Sequence, residues 1–79
     1  MIDKELLVNA YGEKYDYITE NMDSVKAEIN ESEKYEFNDM LYEYLDSLDN
    51  IKLLQIKGKQ ALDEFISYAK EHKEEFVKE

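Results

Sequence analysis

The chain has 79 residues, a formal net charge of −10 at pH 7 and no cysteine. A chain of this length forms one small domain, here residues 1–79, with a thin core. The lack of cysteine excludes disulfides and thiolate metal sites and fits a reducing compartment. The first residues lack the basic flank of a signal peptide, and no apolar stretch approaches the roughly 20 residues of a membrane span. We therefore expect a cytoplasmic protein.

The charge balance argues against direct binding of nucleic acids or anionic membranes. Twenty acidic residues stand against ten basic ones, and all ten are lysines. Nucleic acids are bound through cations, with arginine favoured for its forked donors, and an anionic membrane repels an acidic protein. Residues 1–48 hold 13 acids and 4 lysines, net −9, whereas residues 49–79 hold 7 acids and 6 lysines, net −1. The expected partner is a protein with a basic surface.

The first segment has the spacing of one long amphipathic helix. Apolar residues recur every three or four positions from Leu7 to Ile29, which keeps them on one helix face for about six turns. The predicted helix covers about 3–29, and Asp23-Ser24 offers a cap for a restart if the helix is kinked. The best break follows at Asn30-Glu31-Ser32, where Ser32 is the expected N-cap of the next helix.

Two further helices are predicted, over about 33–48 and about 50–77. The second helix has an apolar face formed by Phe37, Met40, Leu41, Tyr44, Leu45 and Leu48. Asp49-Asn50 is a weaker break, and either residue can cap the third helix. The third helix has an apolar stripe formed by Ile51, Leu54, Gly58, Ala61, Leu62, Phe65, Ala69, His72 and Phe76. Its three small residues predict close approach of a neighbouring helix.

These patterns predict an all-α fold, a small three-helix bundle. The apolar phase runs almost unchanged from Leu48 to Ile51, so the alternative is one continuous helix, giving a long helical hairpin that dimerises. A second alternative is a mixed fold in which residues 51–56 form a short strand. The apolar content of 43% and its sustained periodicity argue against disorder.

The residues that carry chemistry are nearly absent. The only histidine is His72, and Ala69 occupies the position where the di-iron helix signature requires glutamate. The acids at 46 and 49 have the wrong spacing for a calcium loop, and the two glycines lie too far apart for a phosphate loop. We expect no enzyme activity, no cofactor and no metal site, with His72 at the edge of the core.

The first helix carries acidic residues opposite its apolar stripe. Glu5, Glu13, Asp16, Glu20 and Asp23 fall within about 80° of arc at 3.6 residues per turn. Like charges three or four positions apart destabilise a helix by roughly 0.2–0.5 kcal/mol per pair. This face either keeps the protein soluble or meets a positively charged partner. We name Glu13, Asp16, Glu20 and Asp23 the acidic ridge and treat them as candidate partner-binding residues.

The second helix adds a stripe of alternating tyrosines and aspartates. Its members are Tyr35, Asp39, Tyr42 and Asp46, on the side facing away from the apolar face. Tyrosine offers a rigid contact area with a polar tip and is enriched at interface hot spots. These four residues are therefore either further partner-binding residues or the face that packs on the first helix.

Leu53 and Ile56 fall off the main stripe of the third helix and are surrounded by lysines. The favoured interpretation packs them under the first or second helix. The alternative is an apolar contact for self-association, in which the basic segment of one chain meets an acidic face of another.

The predicted function is an acidic protein-binding module, an inhibitor that occupies the basic, nucleic-acid-binding surface of a partner protein. Regularly spaced carboxylates can imitate a phosphate backbone. In size, charge and helicity the chain resembles the DNA mimics with which phages block restriction, CRISPR or transcription proteins. One alternative is an immunity or antitoxin protein that neutralises a basic toxin. Another is a structural or assembly subunit that self-associates as a homodimer.

Overall fold

The computed structural model describes residues 3–29 and 35–77. Within these ranges the chain forms five α-helices, which are α1 (Lys4–Glu20), α2 (Met22–Glu28), α3 (Phe37–Ser47), α4 (Asn50–Gln55) and α5 (Gly58–His72), and a 3-10 helix, η1 (Lys73–Phe76). The predicted all-α helical bundle is confirmed. The mixed-fold alternative is wrong, because residues 51–56 belong to α4 and the turn that follows it rather than to a strand.

The helices form a bundle in which α1 and α2 run in the same direction as α5, and α3 runs against them. Tyr17 of α1 lies beside Gly58 at the start of α5, and Glu28 of α2 pairs with Lys70 near its end. α3 reverses this direction, since its first residues lie beside the end of η1 while Tyr44 contacts the middle of α5. The short helix α4 packs against α1 at the other end of the bundle.

The core lies between the faces that the periodicity predicted. α3 buries Met40, Leu41, Tyr44 and Leu45, with Phe37 and Leu48 half-buried. α5 buries Ala61, Leu62, Phe65 and Ala69. α1 and α2 contribute Ala10, Ile18 and Val25, and Ile29 follows α2. Burying a large apolar side chain contributes roughly 1.5–3 kcal/mol, so these residues supply most of the stabilisation.

The predicted first helix is interrupted at Asn21. The Asn21 side chain donates a hydrogen bond to the Tyr17 carbonyl at 2.8 Å, and the Thr19 hydroxyl donates to the Asp16 carbonyl at 3.0 Å. Such local bonds compete with the helical ladder and favour a helix end. The interruption therefore falls two residues before Asp23-Ser24, where the sequence offered a restart. The predicted break at Asn30-Glu31-Ser32 lies outside the described residues.

The second helix begins at Phe37, later than predicted, because Tyr35 and Glu36 pair with the end of the chain. Tyr35 forms an isolated antiparallel bridge with Val77, and the Glu36 amide donates to the Phe76 carbonyl at 2.7 Å. The Glu36 amide is therefore bonded across the bundle, whereas the Glu36 carbonyl accepts the first intrahelical bond of α3, from the Met40 amide at 3.1 Å. Val77, predicted to be helical, takes part in the same pairing.

The predicted third helix is two helices, α4 and α5, separated by extended residues Ile56 and Lys57. The break allows Leu53 and Ile56 to be buried against the bundle while α5 buries a separate stripe. The same break leaves Ile51, which was predicted to lie in the core, 61% exposed. The hairpin alternative is wrong, because extended residues at Leu48 and Asp49 separate α3 from α4. Asp49 caps α4, accepting a hydrogen bond from the Lys52 amide at 2.8 Å, as the sequence allowed.

Gly58 is the point of closest approach between α1 and α5. A Cβ atom built on Gly58 would lie 3.0 Å from two ring carbons of Tyr17. Gly12, in the middle of α1, would meet no heavy atom of the described residues within 4 Å. The two glycines thus sit in opposite environments, and only Gly58 is required by packing.

We expect Gly58→Ala and Gly12→Ala to change stability in opposite directions. Alanine at 58 forces the Tyr17 ring outward and should lower the free energy of unfolding by about 1–2 kcal/mol. Alanine at 12 fills open space inside a helix and should raise it by about 0.5–1 kcal/mol. Urea unfolding followed by circular dichroism measures both. A Gly58→Ala protein as stable as the parent would refute the close approach.

Candidate protein-binding surface

The acidic ridge of the first helical segment is fully on the outside of the bundle. Its four members, Glu13, Asp16, Glu20 and Asp23, are all exposed, whereas Ala10, Lys14 and Ile18 form the buried side of α1. From Glu13 to Glu20, within α1, the helix rises about 10 Å at 1.5 Å per residue, so the three carboxylates there follow one another about every 5 Å. One strand of B-DNA carries a charge every 3.4 Å along its axis. The axial spacing of the ridge carboxylates is therefore about 1.5 times that of the phosphates of one strand.

None of the ridge carboxylates pairs with a cation in the described part of the chain. The four ion pairs formed there lie elsewhere, at Lys52–Glu64, Lys59–Asp63, Lys70–Glu28 and His72–Glu75. Two of the three lysines of the first two helices, Lys14 and Lys26, are engaged elsewhere. Lys14 is buried, and the Lys26 ammonium lies 5.3 Å from the centre of the Phe37 ring. The ridge carboxylates are left to interact with solvent or with a partner.

Glu20 occupies a position where a negative charge is unfavourable. It is the last residue of α1, and within that helix, all of which is described, the last turn holds no basic residue. The C-terminal end of a helix carries a partial negative charge, so an acid there costs about 0.3–1 kcal/mol. Glu20 also lies four residues after Asp16 and three before Asp23, and each such pair of like charges is repulsive.

The tyrosine-aspartate stripe of α3 is only partly on the surface. Asp39, Tyr42 and Asp46 are exposed, with 44% of Tyr42 accessible. The prediction for Tyr35 is wrong, because only 5% of it is exposed. Its backbone pairing with Val77 turns the side chain inward, where its ring packs edge-on against Phe37 at 5.8 Å. The stripe that a partner can reach therefore has three members.

The exposed part of this stripe contacts two tyrosines of α1. The rings of Tyr15 and Tyr42 are stacked, with centroids 5.3 Å apart and planes inclined by 15°. One turn away, the Tyr11 hydroxyl donates to the Asp46 carboxylate at 3.2 Å. We call Tyr11, Tyr15 and Tyr42 the tyrosine seam. The sequence placed Tyr11 and Tyr15 in the core, since a four-residue spacing fits both the centre and the flank of an apolar stripe. Only the antiparallel arrangement of α1 and α3 brings these two tyrosines to Tyr42 and Asp46.

Two tyrosines of the seam, Tyr11 and Tyr15, have a raised pKa and therefore keep their phenols neutral to a higher pH. Burial, together with the charge and hydrogen bond of Asp46, raises the pKa of Tyr11 from 10.0 to about 12. The hydrogen bond to Tyr42 raises the pKa of Tyr15, with a smaller contribution from burial. On the opposite side of α3, burial and then the Glu43 carboxylate raise the pKa of Tyr68 to about 12. The seam is thus a neutral aromatic strip beside exposed carboxylates.

Leu53 and Ile56 are not available for self-association. Only 6% of Leu53 and 5% of Ile56 are exposed, because the break between α4 and α5 turns both into the bundle. The favoured sequence interpretation, in which they pack under a neighbouring helix, agrees with this burial. Of the lysines around them, Lys52 and Lys59 pair with Glu64 and Asp63.

His72 lies at the edge of the core, near the end of α5. Its ring contacts that of Tyr68 with centroids 4.4 Å apart, and its Nδ1 atom lies 2.9 Å from a Glu75 carboxylate oxygen. Across residues 3–29 and 35–77, no three histidine or acidic side chains come together in a way that could hold a metal ion. Over the same ranges, none of the helices combines the length and the apolar character needed to cross a membrane.

Comparison with known proteins gives no relative from which a function could be transferred. No family model, no curated protein and no solved structure matches the chain significantly. The surface of the molecule is therefore what indicates its function. Its two distinctive features are the unpaired acidic ridge and the tyrosine seam beside Asp46.

We expect alkaline titration to detect the tyrosine seam. Because the folded-state pKa of Tyr11 is raised, its contribution to stability is present below pH 10 and is lost as the pH rises towards 12. Tyr11→Phe should remove one late-ionising phenol from the absorbance titration at 295 nm. Asp46→Asn should keep the phenol but make it ionise earlier. A Tyr11 that titrates with the exposed tyrosines in the parent protein would contradict the contact with Asp46.

Proposed function

We propose that this protein is an acidic protein-binding module, an inhibitor that occupies the basic, nucleic-acid-binding surface of a partner protein. The observation that carries the proposal is the acidic ridge, in which four exposed carboxylates follow one another along α1 and α2 without a paired lysine in the described chain. A partner surface built to hold phosphates presents cations in rows. The ridge offers such a surface a similar succession of negative charges.

Solubility alone does not require this arrangement. A soluble surface is usually a mixture of acids and bases, and the α4–α5 side of this molecule has that mixture, with ion pairs at Lys52–Glu64 and Lys59–Asp63. On the ridge, by contrast, the repulsion between neighbouring carboxylates and the helix end at Glu20 lowers the stability of the free protein. A basic partner would relieve both effects on binding.

The tyrosine seam adds an aromatic contact to the electrostatic attraction of the acidic ridge. Tyr42 is exposed, is held by its stacking on Tyr15, and lies on the same helix face as Asp39 and Asp46. An ordered aromatic ring loses little conformational freedom on binding and can receive a guanidinium group on its face. We therefore include Asp39, Tyr42 and Asp46 with the ridge in the proposed interface.

The same surface would suit an immunity or antitoxin protein that neutralises a basic toxin, and the identity of the partner separates these two functions. The assembly alternative, which uses the tyrosines of the second helix together with Leu53 and Ile56, loses most of its contacts, because only Tyr42 of these residues is exposed. We propose a binding role without catalysis, in the cytoplasm, where nucleic-acid-binding proteins are found.

A first prediction concerns the free protein. Glu20→Lys replaces two repulsive pairs by attractive ones and places a cation at the end of α1, so it should raise the free energy of unfolding by about 0.5–1 kcal/mol at low salt. Asp63→Lys makes the same change of charge but removes the partner of Lys59, so it should lower the free energy of unfolding by about 0.5 kcal/mol. Urea unfolding in 20 mM and 500 mM NaCl measures both. Equal effects of the two variants would show that only net charge matters.

A second prediction concerns the partner. The immobilised protein is exposed to the heparin-binding fraction of a bacterial lysate, and the captured protein is purified. We expect this protein to dissociate with increasing salt and to lose its DNA binding when one equivalent of our protein is added. The double variant Asp16→Lys/Glu20→Lys should bind it at least about tenfold more weakly while keeping its helicity.

The matched control is Glu71→Lys/Glu74→Lys, which also changes the net charge from −10 to −6 but lies near the end of α5 and in η1, away from the ridge. It should bind almost as tightly as the parent. Equal losses of binding affinity in both double variants would show that net charge, and not the position of the ridge, determines binding. A captured protein that still binds DNA in the complex would contradict mimicry, and capture of a small basic toxin would favour the immunity function.

A further inference from the structure

A small groove opens where the turn between α4 and α5 meets α1. Its polar lining consists of Asn9, Glu13, Lys14, Gln55, Lys57 and Gly58. It borders the acidic ridge at Glu13 and contains no member of the tyrosine seam. The groove brings together a buried lysine, an exposed lysine and the first residue of a helix, and none of these was singled out by its sequence pattern as part of a binding site.

Lys14 is the unusual member of this groove. Only 4% of it is exposed, although lysine is among the residues least often buried without a partner. Its ammonium makes no hydrogen bond or ion pair in the described part of the chain. No fully buried side-chain nitrogen there lacks a hydrogen-bond partner, so the Lys14 ammonium must reach solvent. Lys14 lines this groove, so the groove gives its ammonium a route to solvent.

The second member is the N-terminal end of α5. This helix has 15 residues, its N-cap Lys57 makes no side-chain capping bond, and its first turn contains no acid. The first intrahelical bond is donated by Ala61 to the Lys57 carbonyl, and the amides of Gly58, Lys59 and Gln60 have no acceptor among the described residues. A helix N-terminus carries a partial positive charge and free N–H donors, which together favour an anion.

From this juxtaposition we propose that the groove binds a small oxyanion, a phosphate or carboxylate group, between the Lys14 ammonium and the free amides at the start of α5. Lys57, at the groove wall, adds a second cation that has no ion-pair partner in the described chain. Glu13 also lines the groove and opposes the anion, so it limits the affinity. The site goes beyond the function proposed above, because it uses the opposite sign of charge, and it shares only Glu13 with the acidic ridge.

The test is a titration with inorganic phosphate followed by amide NMR, with sodium chloride at matched ionic strength as the reference. We expect saturating shifts of the Gly58, Lys59 and Gln60 amides that chloride does not produce. Lys14→Met should weaken phosphate binding at least about fivefold, whereas Glu13→Gln should strengthen it about twofold or more. Lys70→Met, at an exposed ion pair with Glu28, is the matched control and should leave it unchanged.

A parallel titration with sodium acetate separates the two sources of the oxyanion. Saturation by phosphate alone assigns a phosphate group, and saturation by acetate as well assigns the carboxylate of a partner side chain. If Lys14→Met does not fold, Lys57→Met gives the same test on an exposed side chain and should weaken binding about threefold. Shifts identical to those in chloride, or an affinity that neither lysine variant changes, would overturn the proposal.

Discussion

The contact between the Tyr17 ring and Gly58 fixes the arrangement of much of this molecule. A Cβ atom at position 58 would lie 3.0 Å from the ring, closer than ordinary van der Waals contact, so glycine lets α5 begin beside α1 without displacing Tyr17. The extended residues Ile56 and Lys57 lead into that contact, and they separate α4 from α5. Three features follow from this one turn. Leu53 and Ile56 are buried, Lys14 is covered, and the first amides of α5 are left without acceptors.

The distribution of charge follows the same division of the molecule. Around α4 and α5 the acids and lysines form pairs, and those elements contribute little net charge to the surface. Of the lysines of α1 and α2, Lys14 is drawn into the interior and Lys26 lies over the Phe37 ring. The carboxylates of the acidic ridge consequently have no ion pair in the described chain, although Lys59 lines a shallow depression beside Glu13, Asp16 and Glu20. Four of the unpaired acids of this protein of net charge −10 thus follow one another along α1 and α2.

Periodicity predicted the parts of the fold that depend on one helix at a time. The buried face of α3, the stripe of α5 and the cap at Asp49 all follow from residue spacing and side-chain type, and the structure has them where the sequence placed them. Two of the wrong predictions involve contacts between distant residues. Tyr35 is turned inward by its pairing with Val77, and the break at Ile56 leads into the packing of Gly58 on Tyr17. A helical wheel contains no information about either partner.

Prediction of the surface from residue spacing was limited in the same way. The sequence identified the exposure of the acidic ridge correctly, because a face opposite an apolar stripe must lie outside. It did not identify the tyrosine seam, since Tyr15 and Tyr42 become neighbours only through the direction of α3 relative to α1. Asn21 interrupts the first helix through a bond to its own backbone, a local effect that residue type alone could have indicated.

The pairing of Tyr35 and Glu36 with Phe76 and Val77 has a consequence for how the chain folds. It joins residues about 40 positions apart, as do the contacts of Tyr17 with Gly58 and of Glu28 with Lys70. Closing so long a loop costs conformational entropy, so this pairing should form together with the docking of α5 and not with the local turns of α3. During synthesis this pairing, which precedes α3, cannot form until residue 77 has left the ribosome. Until then Tyr35, buried in the finished protein, remains exposed on a partly folded chain.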